Sequence, residues 1–245
     1  MSRDGATVAS YTRGMEATIY ADGTYLRNNP GWHADDSAWK AGHVATMLER
    51  HGLAPKSVCE VGCGSGEVLV QLARRLPAGP RYVGYDISPD AYAICARKSG
   101  GALDFRLADL LAEDVSFDVA LAMDVFEHVE DYFGFLRRLK GRARHKIFHI
   151  PLELSALSVA RPRPLIDARR SVGHLHHFSK ETALAALEDT GYRVIDHCYT
   201  SGRTELGGLG WKTRMLKLPR RVLAAASADA AARILGGYSL LVLAE

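Results

Sequence analysis

The 245 residues are 47% hydrophobic and carry 31 basic against 28 acidic side chains, for a formal net charge of +3. That length suits one α/β domain with decorations, and so small a basic excess falls short of the balance of a nucleic-acid binder. The four cysteines, Cys59, Cys63, Cys95 and Cys198, are too sparse for a disulfide framework. No apolar run reaches the roughly 18 residues that span a bilayer, and Met1-Ser-Arg-Asp-Gly5 lacks a signal-peptide core, so a cytoplasmic protein is expected.

Residues 1–36 hold Tyr11, Tyr20, Tyr25, Asn28, Asn29, Trp32 and His33 without periodicity, and are expected to form an N-terminal arm or lid over the ligand. Asp36-Ser37 supplies capping chemistry for a helix whose apolar face is Trp39, Val44, Met47 and Leu48, ended by Gly52. A strand over 57–61 then runs into Gly62, Gly64 and Gly66, a tight turn in which one glycine is expected to need positive φ. The next helix carries Leu69, Leu72 and Leu76 on one face. A second strand over 81–86 precedes Ser88-Pro89, a cap plus a proline at the first helical turn, opening a helix over 90–98. Strands follow over 103–107, ending at Asp109, and over 117–123, ending at Asp124. Val129, Tyr132, Phe133, Leu136 and Leu139 predict a helix, and a fifth strand over 145–150 is expected to stop at Pro151.

The rhythm breaks over 151–178, where Arg161, Arg163, Arg169 and Arg170 precede His174, His176 and His177. Ser179 caps a helix over 180–190, and a sixth strand is predicted over 192–199. Residues 200–237 contain a glycine-rich turn at 207–210, a basic helix around 212–221 and an alanine-rich helix, before a last apolar strand over 238–244. Alternating strands and helices predict one α/β domain over 1–245 with a doubly wound, mostly parallel sheet, 151–178 and 200–237 being substrate-side insertions.

In such sheets ligands lie at the carboxyl ends of the strands, where Glu60, Asp86, Asp109, Asp124 and His149 fall. Asp86, twenty residues after Gly66, is placed to hold the ribose hydroxyls of a nucleoside ligand. A dinucleotide is disfavoured. Counting from Gly62 or from Gly64, the sixth position of the fingerprint is Glu67 or Leu69 rather than a small residue, and Glu67 would put negative charge where the pyrophosphate lies. Cys59 and Cys63 lack the second Cys/His pair of a zinc site and read as packing residues, so no metal is expected there.

Glu60-x-Gly62-x-Gly64-x-Gly66 resembles motif I of the class I S-adenosylmethionine-dependent methyltransferases. Tyr85-Asp86-Ile87-Ser88 resembles the second strand end of that family, Ala108-Asp109-Leu110 its adenine-edge motif, and Asp124-Val-Phe-Glu127-His128 its fourth-strand exit. A finer likeness links Asn29 to Lys40, His149-Ile-Pro-Leu152, Val172 to Phe178 and Gly236 to Leu241 to small bacterial methyltransferases of the type-11/23 kind. The resemblance implies a seven-stranded Rossmann-like sheet of order 3-2-1-4-5-7-6 with the last strand antiparallel, and S-adenosyl-L-methionine as cofactor. It implies cofactor contacts from Glu60, Gly62, Gly64, Gly66, Asp86, Ile87, Asp109, Leu110, Asp124 and His128, with Glu60 ordering the glycine turn through neighbouring backbone N–H groups.

Methyl transfer from a sulfonium is an in-line displacement that gains most from positioning and exclusion of water, and an oxygen acceptor also gains from a general base. His149, His174, His176 and His177 are the candidates for that base. The three-histidine cluster reads as loop packing rather than as a metal site. A nucleic-acid amine methyltransferase would show an Asn/Asp-Pro-Pro-aromatic exit from strand four, which Asp124-Val-Phe-Glu127 is not. The expected activity is transfer to a small-molecule acceptor, a sugar or specialised metabolite, with oxygen preferred. Nitrogen or carbon acceptors and RNA or protein methylation are the alternatives. No nucleic-acid or membrane partner is expected, and a homodimer is left open.

Overall fold

The computed structural model describes residues 23–32, 34–201, 223 and 225–245. The glycine-rich turn at 207–210, the basic helix around 212–221, Tyr11, Tyr20 and His33 lie outside the described residues.

The described chain opens with a short helix α1 (Thr24–Asn28) and a 3-10 turn (Ala34–Asp36) leading into α2 (Ser37–Arg50). Strand and helix then alternate as β1 (Ser57–Val61), α3 (Glu67–Arg75), β2 (Arg81–Asp86), α4 (Pro89–Cys95), β3 (Leu103–Leu107), β4 (Phe117–Met123), α5 (Tyr132–Lys140) and β5 (Ala143–Leu152). Next come α6 (Ala156–Ala160), α7 (Arg163–Ser171), α8 (Lys180–Asp189), β6 (Val194–Thr200), α9 (Ala228–Leu235) and β7 (Tyr238–Ala244). The sheet order is β3-β2-β1-β4-β5-β7-β6, as expected. All pairings are parallel except those of β7, which runs antiparallel to both β5 and β6.

Period-two alternation divides the buried strand residues between two faces. Val58, Tyr82, Val119, Leu121, Ile147 and Leu241 share one core with Ala41, Val44, Met47 and Leu48 of α2 and Leu69 and Leu72 of α3. Cys59, Val83, Ala120, Phe148 and Val242 share the other with Phe135, Leu136 and Leu139 of α5 and Ala183 and Leu187 of α8. Each fully buried side chain of this size contributes about 1.5–3 kcal/mol, so each helix is held by its apolar stripe. The two cores also fix which strand ends point at the ligand side.

Three local expectations change. Asp36 makes no capping bond to α2; its carboxylate takes Lys40 Nζ instead, at 3.0 Å. The helix predicted over 90–98 ends at Cys95 and tightens into a 3-10 turn, Ala96–Lys98. Pro151 does not stop β5, which continues to Leu152 with Pro151 paired to Ser239 of β7. The carbonyl of His149 faces β4, where it accepts from the Asp124 N–H at 2.9 Å. By alternation Pro151 faces the same side, beyond the end of β4, where its missing N–H has no ladder bond to make.

Candidate active site

The glycine turn leaves β1 with all three glycines in the left-handed region, at φ 64°, 53° and 72° for Gly62, Gly64 and Gly66. Gly66 also has no room for a side chain: a Cβ there would sit 2.4 Å from Cε1 of Phe105. The Gly66 N–H donates to the Cys63 carbonyl, and the Cys63 N–H to the Tyr85 carbonyl of β2. Asp86 closes the unit. Its Oδ2 accepts from the Gly64 N–H and its Oδ1 from the Ser88 N–H, both at 2.8 Å, so one carboxylate pins both ligand-side loops. Burial pushes its pKa up, against the pull of those backbone donors.

Beyond Asp86, Ile87 stands 53% exposed, an apolar face beside the turn. Asp109 caps the 3-10 turn Leu110–Ala112 by accepting from the Leu111 N–H at 2.9 Å. The Leu110 side chain is buried in the core.

At the other end of the turn the charges concentrate. Asp124, with φ 55°, is held in a left-handed conformation unusual for a side-chain-bearing residue. Its Oδ2 meets Lys40 Nζ at 2.8 Å and its Oδ1 meets His149 Nδ1 at 2.5 Å. The other ring nitrogen of His149, Nε2, meets Thr200 Oγ1 at 2.9 Å. Burial alone would raise the pKa of Asp124, but His149 and Lys40 hold it well below the usual carboxylate range. Burial likewise opposes the charge on Lys40, yet Asp124 and Asp36 more than offset it and raise its pKa.

Two buried carboxyls flank this network. Glu60 is 2% exposed, and its Oε2 accepts no hydrogen bond among the described residues, so the backbone donors expected for it do not reach that oxygen. Burial raises its pKa well above normal, with Lys40 as the opposing influence. Glu127 is 1% exposed, and neither carboxylate oxygen has a hydrogen-bond partner among the described residues. Burial, then the charge of Asp124, push its pKa well up.

The arm lies over this end. Tyr25 is buried, with Lys40, Asp124, Glu127 and Asp86 within electrostatic reach, and burial drives its phenol pKa up. Its ring packs on Trp32 at 4.7 Å, and a Cβ on Gly64 would meet Trp32 Cε3 at 3.5 Å, so the arm roofs the glycine turn. Asn29 Nδ2 donates to the Ser171 carbonyl of α7 at 3.3 Å, tying arm to insertion.

The four candidate histidines separate. His149 has both ring nitrogens engaged and is 3% exposed. His176 Nε2 points at the carbonyls of Val129 and Glu130, at 3.0 and 3.2 Å, and pins the loop. His177 Nδ1 meets Glu153 Oε2 at 2.5 Å. His174 Nδ1 stands 3.0 Å from Glu153 Oε1, and its ring lies edge-on to His128 with centroids 4.7 Å apart. His128 turns Nδ1 to the Gly173 carbonyl at 3.2 Å; burial and His174 push its pKa down to about 4.

Lys40, Glu153 and Thr200 were not anticipated from the sequence. Lys40 did leave a trace, a lysine on the same stripe as Ala41, Val44, Met47 and Leu48. Glu153 and Thr200 left none, since only the tertiary fold brings them to His174, His177 and His149.

A family model described as a methyltransferase domain matches residues 32–197. A ubiquinone biosynthesis O-methyltransferase of Methylocella silvestris is 37% identical over 101 residues, covering 37% of this chain and 38% of that protein. A protein of the same name from Pseudomonas paraeruginosa is 35% identical over 119 residues, covering 43% and 50%. The chain thus spans half or less of the length of these relatives. In structure, the magnesium protoporphyrin IX methyltransferase of Synechocystis PCC 6803 with bound S-adenosylhomocysteine aligns with TM-score 0.58 at 20% identity, covering 84% of this chain and 82% of that one. That likeness carries the fold. The family match runs over well more than half of the chain, and the observed sheet order is the one such a family requires. The chain therefore belongs to the methyltransferase-domain family, within the class I S-adenosyl-L-methionine-dependent methyltransferases.

Proposed function

We propose that this protein transfers the methyl group of S-adenosyl-L-methionine to an oxygen of a small metabolite bound between the glycine turn, the arm and the histidine loop. The cofactor supplies an electrophilic methyl on a sulfonium sulfur. The residues around the turn fit it, because Asp86 retains acceptor capacity beyond its two backbone bonds. In this reading Asp86 holds the ribose, while Ile87 and the loop at Asp109 and Leu110 hold the adenine. Asp124, held ionised by His149 and Lys40, keeps a negative charge at the end where the sulfonium would lie.

The single observation that carries the reading is the Asp86 clasp between Gly64 and Ser88, which joins the loops that leave the carboxyl ends of β1 and β2. Preference for oxygen is supported by the O-methyltransferase names of the relatives. His149 acts here as a positioning residue that holds Asp124, since neither ring nitrogen is available to an acceptor proton. The acceptor oxygen is placed instead beside the group formed by Glu127, His128 and His174. The described part of the arm and the insertion over 151–178 supply acceptor-side walls, a reading supported by the Asn29–Ser171 tie. No helix among the described residues is long and apolar enough to cross a membrane.

Calorimetry with S-adenosylhomocysteine tests the reading. Saturable binding at one site per chain, weakened at least tenfold in Asp86→Asn, is the expected result. Wild-type protein that does not bind, or an Asp86→Asn variant that binds equally well, overturns it.

A further inference from the structure

We propose that Glu127, His128 and His174 bind one divalent transition-metal cation, of the Mn²⁺ or Zn²⁺ class, at the acceptor end of the site. One ligand atom from each residue lies within 4.8 Å of the other two, and among the described residues this is the one such group.

Glu127 carries the argument. It is 1% exposed, and both oxygens lack hydrogen-bond donors among the described residues. A buried carboxylate left so requires a proton or a cation, because removing its hydration without a partner costs several kcal/mol. The two imidazoles beside it favour a cation, since a carboxylic acid would use only one of them. His128 Nε2 stands 3.9 Å from Glu127 Oε1, while its Nδ1 rests against the Gly173 carbonyl. That outer contact fixes the ring as ligating imidazoles are commonly fixed. Glu153 stands in the same relation to His174, with Oε1 3.0 Å from Nδ1.

The backbone preorganises the group. The Glu127 carbonyl accepts from both the Leu175 N–H at 2.9 Å and the His176 N–H at 3.0 Å, so the exit of β4 and the histidine loop are clamped together. Two imidazoles and one carboxylate suit borderline divalent ions and leave coordination positions open for an acceptor or water. Resting on the methyltransferase reading, the chemistry supplied is Lewis-acid polarisation of an acceptor hydroxyl, lowering its pKa so that its proton leaves to solvent.

The test uses the full chain after dialysis against EDTA. Zn²⁺ and Mn²⁺ are titrated by calorimetry, and Co²⁺ by its visible absorption. One ion per chain is expected, with affinity down at least a hundredfold in Glu127→Gln and in His174→Ala, and unchanged in His197→Ala, a control at an exposed histidine of β6. Circular dichroism reports whether each variant is folded, and His174→Ala, in a loop, keeps the test open if Glu127→Gln does not fold. No saturable binding, or binding that survives His174→Ala, overturns the proposal and leaves Glu127 a protonated acid. S-adenosylhomocysteine calorimetry on the metal-free protein separates the two readings: cofactor binding without metal binding sinks this proposal alone.

Discussion

The sharpest demand on the sequence is at Gly66, and it can be measured. Gly66→Ala introduces two costs. Left-handed backbone at φ 72° costs an alanine about 1–2 kcal/mol. The new Cβ, 2.4 Å from Phe105 Cε1 and 2.9 Å from Cys95 Cβ, forces displacement in a packed core, for about 1–3 kcal/mol more. Together these give about 2–5 kcal/mol, a large share of the roughly 5–15 kcal/mol that holds a typical domain. Gly101→Ala is the internal control: φ there is 59°, yet nothing lies within 4 Å of its Cβ, so only the backbone cost of about 1–2 kcal/mol applies. Urea unfolding, with the midpoint and slope fitted for each variant, reads the difference. Equal losses in the two variants would refute the steric half of the argument, and Gly66 would then matter only for its backbone angles.

Asp124→Asn should destabilise by about 3 kcal/mol in urea, because it leaves the 7%-exposed Lys40 ammonium with Asp36 alone. Adding Lys40→Met should recover most of that loss, and strictly additive losses would show that the pair is not coupled. Lys146, 2% exposed on β5, has its pKa pushed down to about 8 by burial and by Lys140. A cation with a depressed folded pKa binds fewer protons folded than unfolded, so stability rises with pH between about 8 and its unfolded value of about 10.4. Lys146→Met should therefore gain about 2–3 kcal/mol at pH 7, after loss of the ammonium contact with Tyr192, and show no gain near pH 10.5. A gain independent of pH in urea titrations would assign it to packing instead. Ser179→Ala should cost about 1 kcal/mol by removing the acceptor for the Thr182 N–H at the start of α8, read from the same unfolding curves.

The fold was legible because its signals are local and repeated. β1, β2, β3, β4 and β7 begin and end where alternation and turn residues place them, and Ser88 and Ser179 cap as their positions require. The glycine turn and its tie to Asp86 were legible for the same reason, since these residues must sit at fixed distances along one strand–turn–helix unit. The acceptor end was not. His149 is a candidate base from its place at the end of a strand, but the sequence does not show that its two ring nitrogens meet Asp124 and Thr200, partners 25 and 51 residues away. Pro151 misled for a related reason: whether a proline ends a strand depends on whether its neighbour strand is still there. Glu127 was visible as part of a motif, but that its carboxylate is left without donors is a fact of burial that no spacing reveals.

The insertion of β7 between β5 and β6 has a consequence for the order of assembly. Among the described residues, β6 pairs with no strand but β7, and the outer edge of β5 is covered only by β7. Until residues 238–244 are available, β6 has no ladder partner and β5 presents a row of open backbone groups on an apolar strand. His149 and Thr200, on those two separated strands, face each other only after that last segment has threaded between them. The His149–Thr200 contact thus depends on pairing between distant parts of the chain, whereas the glycine turn can form from neighbours in sequence.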